Sequence, residues 1–185
     1  MMNQILKNEL ISLADEDQRL IEKLSKSGEL LDYEDELHPE IKKIFERNTK
    51  RAKEIIATYG WPTISSVGEE ASNAMYLIVQ HSVLEPEFMQ SCIPALEEQV
   101  KNNEAKGFQL AFLQDRTLMQ QGKPQIYGTQ HDVNKDGKME PYKILNPETV
   151  DERRLALGLE KLEERTELLQ RNYDETLKAN KQKKS

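Results

Sequence analysis

Residues 69–84 read EEASNAMYLIVQHSVL, and this stretch decides the fold. Ala71, Ala74, Met75, Leu77, Ile78 and Val79 make it apolar around most of its circumference, the mark of a central buried helix. Its polar end, Gln80-His81, stands out for the same reason. His81 shares a helical face with Ala74, Leu77 and Ile78, so its ring is expected in an apolar setting as a base, a ligand or a hydrogen-bonded core residue.

Outward toward the N-terminus, Trp61 to Gly68 reads as a compact connection. A helix is expected from Pro39, a residue suited to a first turn, to Tyr59-Gly60, where glycine terminates it. Its buried stripe is Ile41, Ile44, Phe45, Ala52, Ile55 and Ile56. An acidic loop covers 27–38. A first helix over 3–26 carries Leu6, Leu10, Leu13, Leu20 and Leu24 near one face.

Outward toward the C-terminus, a helix over about 86–102 contains Pro94, which predicts a kink or break. Another spans about 105–121 and closes at Gly122. Gln125–Val133 and Lys138–Ile144 flank Asn134-Lys135-Asp136-Gly137, and Asp-Gly between two extended runs predicts a hairpin. A last helix starts near Asn146-Pro147-Glu148, with Leu155, Leu159, Leu162, Leu169 and Tyr173 in near-heptad rhythm. The expected architecture is mainly α: a single helical, bundle-like domain over 1–165 with one antiparallel hairpin at about 125–144. A C-terminal helix extension and a basic, frayed tail follow over 166–185.

Composition narrows the function classes. Hydrophobic residues are 37% and charged residues 32% of the 185, which suits a small core with long solvated helices. A net charge of −7 disfavours nucleic-acid binding, which needs a basic face against phosphates. The single cysteine, Cys92, rules out an internal disulfide and a cysteine-rich zinc site, and its apolar setting predicts an inert thiol. No stretch has the length and apolarity of a signal peptide or membrane span, so a cytoplasmic location is the expectation. No cofactor is expected either, because Gly-rich phosphate loops, nucleophile elbows and HExxH motifs are missing. His38, His81 and His131 are too scattered to predict a metal site.

Four further polar groups could carry chemistry. Asp115-Arg116 are neighbours that point about 100° apart on a helix, so each needs its own partner. In Gln125-Ile-Tyr127-Gly128-Thr129-Gln130, an extended strand would put Gln125, Tyr127 and Thr129 on one face, with Gly128 leaving room for close approach. Arg153-Arg154, beside Asp151, offer planar forks for a carboxylate or phosphate. Asp132, Asn134, Asp136 and Gly137 match the first half of a calcium-binding loop, but Lys143 replaces the bidentate carboxylate at position twelve, so a hairpin tip is favoured.

Taken in order, six segments carry a family resemblance: GWPTISSVGEEAS (Gly60–Ser72), LIVQHS (Leu77–Ser82), the Gln90–Leu96 run, LQDR (Leu113–Arg116), GKPQIYGTQ (Gly122–Gln130) and VDERRLALGLEKL (Val150–Leu162). With Asp17-Gln18 near the start, they resemble the bacterial family called domain of unknown function 6624. The resemblance implies a small helical protein with a recurring polar set and no assigned activity. That set is Trp61, Gln80, His81, Asp115, Arg116, Gln125, Tyr127, Gly128, Thr129, Gln130, Asp151, Arg153 and Arg154. Ile21, where the pattern has arginine, and His131, where it has an apolar residue, depart from it.

Two functional readings follow. The first is a polar pocket that binds a small polar or anionic ligand, or a partner protein, through Gln80, Arg116, Gln125, Tyr127, Thr129, Gln130, Arg153 and Arg154. A homodimer through the C-terminal helix belongs to this reading. The second is an enzyme of hydrolase- or transferase-like acid/base chemistry, with His81 as acid or base, Asp115 orienting it and arginines holding an anion. Both rest on the cost of burying polar side chains without partners.

Overall fold

The computed structural model describes residues 2–29 and 37–183, with side chains to Ala179. Most of the acidic loop, 30–36, and the last two residues of the basic tail lie outside the described residues. The chain divides into two compact units, Met1–Leu110 and Ala111–Ser185.

In the first unit, α1 (Gln4–Ser27) starts where the Asn3 side chain accepts the Leu6 N–H and ends at Gly28, whose φ of 82° is left-handed. Leu6, Leu10, Ala14 and Leu24 form its buried stripe, and Asp17 lies in that stripe. Pro39 opens α2 (Pro39–Tyr59), and Gly60 closes it at φ 73°. Ion pairs and a hydrogen bond stitch α2 to α1: Arg51 to Glu9, Asn48 to the Leu13 carbonyl and Arg47 to Glu16. Rising numbers in α1 meet falling numbers in α2, so the two helices run antiparallel.

The expected connection after Gly60 contains a short helix, α3 (Ile64–Val67), held by a reciprocal Thr63–Ser66 capping box. Next comes the central helix, α4 (Glu69–Gln80), which buries Ala71, Ala74, Met75, Tyr76, Ile78 and Val79. It ends four residues earlier than the periodicity predicts, because the His81 and Ser82 N–H groups close it onto Leu77 and Val79. In α5 (Pro86–Lys101) the helix continues through Pro94 and does not break. Met89, Cys92 and Leu96 are buried on both sides of the proline, and their packing holds the helix across the missing N–H.

Helix α6 (Gly107–Gln120) starts in the first unit and belongs to the second from Ala111, where it buries Ala111 and Leu113; the chain then turns at Gly122, φ 66°. The hairpin is present, but shorter than expected. Strands β1 (His131–Val133) and β2 (Met139–Pro141) pair antiparallel, with Asp132 opposite Glu140. Residues 125–130 do not extend β1. Only Gln125 keeps a bridge, to Ile144. The last helix is also divided. A 3₁₀ turn (Pro147–Thr149) leads into α7 (Val150–Ala156), Gly158 at φ 72° reverses the chain, and α8 (Leu162–Lys183) follows. Leu155 and Leu162 therefore stand on different helices, and Leu155 is exposed. Among the described residues, no helix is long and apolar enough to cross a membrane.

Candidate functional site

The second unit gathers most of the motif residues into one network centred on Asp115, which is fully buried. Its Oδ1 accepts the N–H groups of Ile126 at 2.7 Å and Tyr127 at 3.1 Å; its Oδ2 accepts those of Tyr127 at 3.2 Å and Thr129 at 2.8 Å. Successive N–H groups converging on one carboxylate form an anion nest. Burial pushes the Asp115 carboxyl above its ordinary range, and the N–H groups of Thr129, Tyr127 and Ile126 oppose that shift.

Gln125 supports the same loop in an unusual way. Its Oε1 accepts the Gln130 N–H at 2.7 Å, and its Nε2 donates to the Gln130 carbonyl at 3.0 Å. The side-chain amide thus takes the place of a neighbouring strand. A further bond from Nε2 reaches the Tyr142 carbonyl at 3.0 Å. Gln130 in turn donates to Thr129 Oγ1 and accepts from Arg116 Nη2. Gly128 sits at φ +65°, and a Cβ there would stand 2.6 Å from Ile144 Cδ1 and 2.9 Å from Leu162 Cδ1. The room that glycine leaves is filled by this chain's own side chains.

Both arginines of α7 face carbonyls. Arg153 donates from Nε to Ile126 at 2.8 Å, from Nη2 to Leu145 at 2.7 Å and from Nη1 to Thr149 Oγ1 at 2.6 Å. Arg154, 1% exposed, donates from Nε to Glu160 and from Nη1 to Tyr127, both at 2.7 Å. Burial pulls Arg154 below its usual value, and the Glu160 and Asp151 carboxylates oppose this. Asp151 accepts the Leu162 N–H at 2.8 Å and so caps α8. His131 donates from Nε2 to Thr166 Oγ1 at 3.0 Å, because that hydroxyl spends its own proton on the Leu162 carbonyl. Burial lowers the His131 pKa, as do the charges of Arg165 and Arg154.

The first unit holds a different polar group. Asp17, on α1, is fully buried, and its Oδ2 lies 2.9 Å from Nδ1 of His81 at the end of α4. A carboxylate offers only lone pairs, so Nδ1 carries a proton, and in the neutral ring Nε2 then holds the lone pair. That Nε2 makes no hydrogen bond among the described residues, and the side chain keeps 16% exposure. Asp17 Oδ1 is buried without a hydrogen-bond partner among the described residues. Phe45 stacks on the imidazole with centroids 4.9 Å apart and planes 28° apart. Along the same two helices, Ile11, Ala14, Asp15 and Gln18 of α1 and Glu70, Asn73, Ala74 and Leu77 of α4 line a groove whose lining includes neither Asp17 nor His81. Asn3 meets Ser66 at one end of this seam and Asp17 meets His81 at the other, so α1 and α4 run in the same direction.

The expected pairing of His81 with Asp115 is thus replaced. Asp17 is the carboxylate on the imidazole, and both Asp115 oxygens serve the loop after α6. Asp17 did not figure among the expected site residues, although its position in the Leu10–Leu24 stripe, an acid where the rhythm asks for an apolar side chain, was a signal for it. Gln80, buried at 4% exposure, adjoins His81. Cys92 is buried, and burial raises its thiol to about 11. In the hairpin tip, Asn134 Oδ1 accepts from Asp136 and Lys138 N–H groups while Asp132 accepts from the Tyr142 hydroxyl. Among the described residues, no group of three or more His, Cys, Asp or Glu could hold a metal ion.

No curated protein and no solved structure matches this chain. A family model does, over residues 4–178, and it spans both the Asp17–His81 pair and the Asp115 network. The chain therefore belongs to DUF6624, a family of unknown function.

Proposed function

We propose that the protein binds a small polar ligand at the Asp17–His81 pair, with His81 Nε2 as the group that accepts a proton from it. The observation that carries this reading is the 2.9 Å contact between a fully buried carboxylate and a partly exposed imidazole whose other nitrogen makes no hydrogen bond among the described residues. An Asp–His pair of this kind fixes the tautomer and balances the charge gained when Nε2 takes up a proton. The nucleophile in such chemistry is water or a ligand hydroxyl. Cys92 is buried and inert, and the adjacent Ser82 hydroxyl donates to the Ile78 carbonyl at 3.0 Å.

The groove that ends one turn before His81 carries acidic side chains, which favours a neutral or cationic occupant over an anionic one. Asp15 and Glu70 line the groove along α1 and α4, whereas Arg153 and Arg154 direct their donors at this chain's own carbonyls. A homodimer through α8 has less support. Its exposed leucines, Leu168 and Leu177, are nine residues apart, which puts them on opposite sides of the helix.

A thermal-shift screen of small amines, amides and polyols against the wild type and His81→Gln tests the reading. A compound that raises the wild-type melting temperature and leaves His81→Gln unmoved supports it. Equal shifts in both proteins, or no shift with any compound, would count against it.

A further inference from the structure

We propose that one turn of α2, Phe45, Asn48 and Thr49, is a positioning clamp that fixes both halves of the Asp17–His81 pair. Residues spaced i, i+3 and i+4 share one face of a helix, and all three are buried here. Phe45 touches the pair itself, and the other two hold the chain on either side of it. Asn48 Nδ2 donates to the Leu13 carbonyl at 3.3 Å, one turn before Asp17 on α1. Thr49 Oγ1 donates to Ser82 Oγ at 2.8 Å, and Ser82 is the residue after His81. The Phe45 ring stacks on the imidazole itself.

The directions of these bonds make the clamp specific. Ser82 spends its proton on the Ile78 carbonyl, one turn back in α4, so its oxygen is left to accept from Thr49. This ties α2 to the point where α4 ends and the chain turns. Asn48 is itself oriented, because its Oδ1 accepts from Arg47 Nη2 at 3.0 Å, and the same guanidinium pairs with Glu16 at 2.9 Å. Glu16 is the neighbour of Asp17. A ring at the end of a helix has rotational freedom, and stacking plus a fixed terminus removes it. What the clamp secures is the single orientation in which Nδ1 meets Asp17 and Nε2 presents its lone pair.

This inference rests on reading the pair as a base, but its test needs no ligand, so it and the ligand screen fail independently. Histidine imidazoles labelled with ¹⁵N in the full chain report which ring nitrogen carries the proton. A hydrogen bond to a charged acceptor gives the wild type at least about a tenfold preference for the Nδ1–H tautomer at His81. Thr49→Val, which keeps shape and loses the hydroxyl, should reduce that ratio at least about threefold, and Thr49→Ser should restore it. Phe45→Leu reads the same quantity should Thr49→Val fail to fold. An unchanged tautomer ratio in whichever of these variants folds would overturn the clamp and leave the three side chains as ordinary packing.

Discussion

Among the described residues, each unit buries one aspartate completely, and the two are used in opposite ways. Asp115 receives backbone N–H groups on both oxygens, Gln125 pairs with Gln130, and Arg153 and Arg154 donate to carbonyls; a buried atom without a hydrogen-bond partner among the described residues, His131 Nδ1, lies farther out. Asp17 meets one ring nitrogen with one oxygen, its other oxygen has no hydrogen-bond partner among the described residues, and the ring it holds presents a second nitrogen. A completed polar network in a dry interior adds rigidity, and taking one member away leaves others stranded. An incomplete one holds free energy that a ligand can recover. On the function proposed above, the Asp115 network is scaffold and the Asp17–His81 pair is the binding site.

The largest effect should come from breaking the nest. Asp115→Ala strands the N–H groups of Ile126, Tyr127 and Thr129 and should cost at least about 3 kcal/mol in urea unfolding. Acetate added to that variant should recover part of the loss in a concentration-dependent way, because the nest binds a carboxylate as such. Arg154→Met should come next, at about 2–4 kcal/mol, since it strands the Tyr127 and Glu160 carbonyls; Arg154→Lys should not restore the loss, for an ammonium cannot fork between them. Gly128→Ala should cost about 1–3 kcal/mol, from a positive φ and from contact with Ile144 and Leu162.

The smallest effect is a pH dependence. The folded-state pKa of His131 is depressed below its ordinary value of 6.5. Well above that value both folded and unfolded chains hold the neutral ring. As pH falls through about 6.5 the unfolded chain takes up the proton first. Stability should therefore drop progressively until the folded-state pKa is passed. His131→Gln should flatten that part of the stability–pH curve, and an unchanged slope would remove His131 from the account.

The helices were legible in the sequence wherever composition and ends agreed. Pro39 and Gly60 bound α2 as the residues predict, and the Asp-Gly turn placed the hairpin tip. The shortfalls have local causes. Residues 125–130 alternate like a strand, but the segment is drawn around Asp115, and no periodicity encodes a carboxylate that competes for backbone N–H groups. The leucine rhythm of 155–169 runs across Gly158, whose left-handed turn outweighs it. Pro94 predicts a kink or a break, and of the two the break is not found: α5 runs on through it. At the candidate site, His81 was legible as a polar residue at the end of an apolar helix. Asp17 was legible in the same way, as an acid in a leucine stripe, but their pairing was not, because a separation of 64 positions is closed only by helix packing.

The contrast between the two aspartates meets its most direct test in one side-by-side measurement, the urea unfolding free energies of Asp17→Asn and Asp115→Asn. Both changes keep size and remove a charge. The account predicts a loss of at least about 3 kcal/mol for Asp115→Asn, whose new amide N–H groups would face N–H donors, and a change within about 1 kcal/mol, or a gain, for Asp17→Asn. Equal losses in the two variants would contradict it and make Asp17 a second scaffold residue.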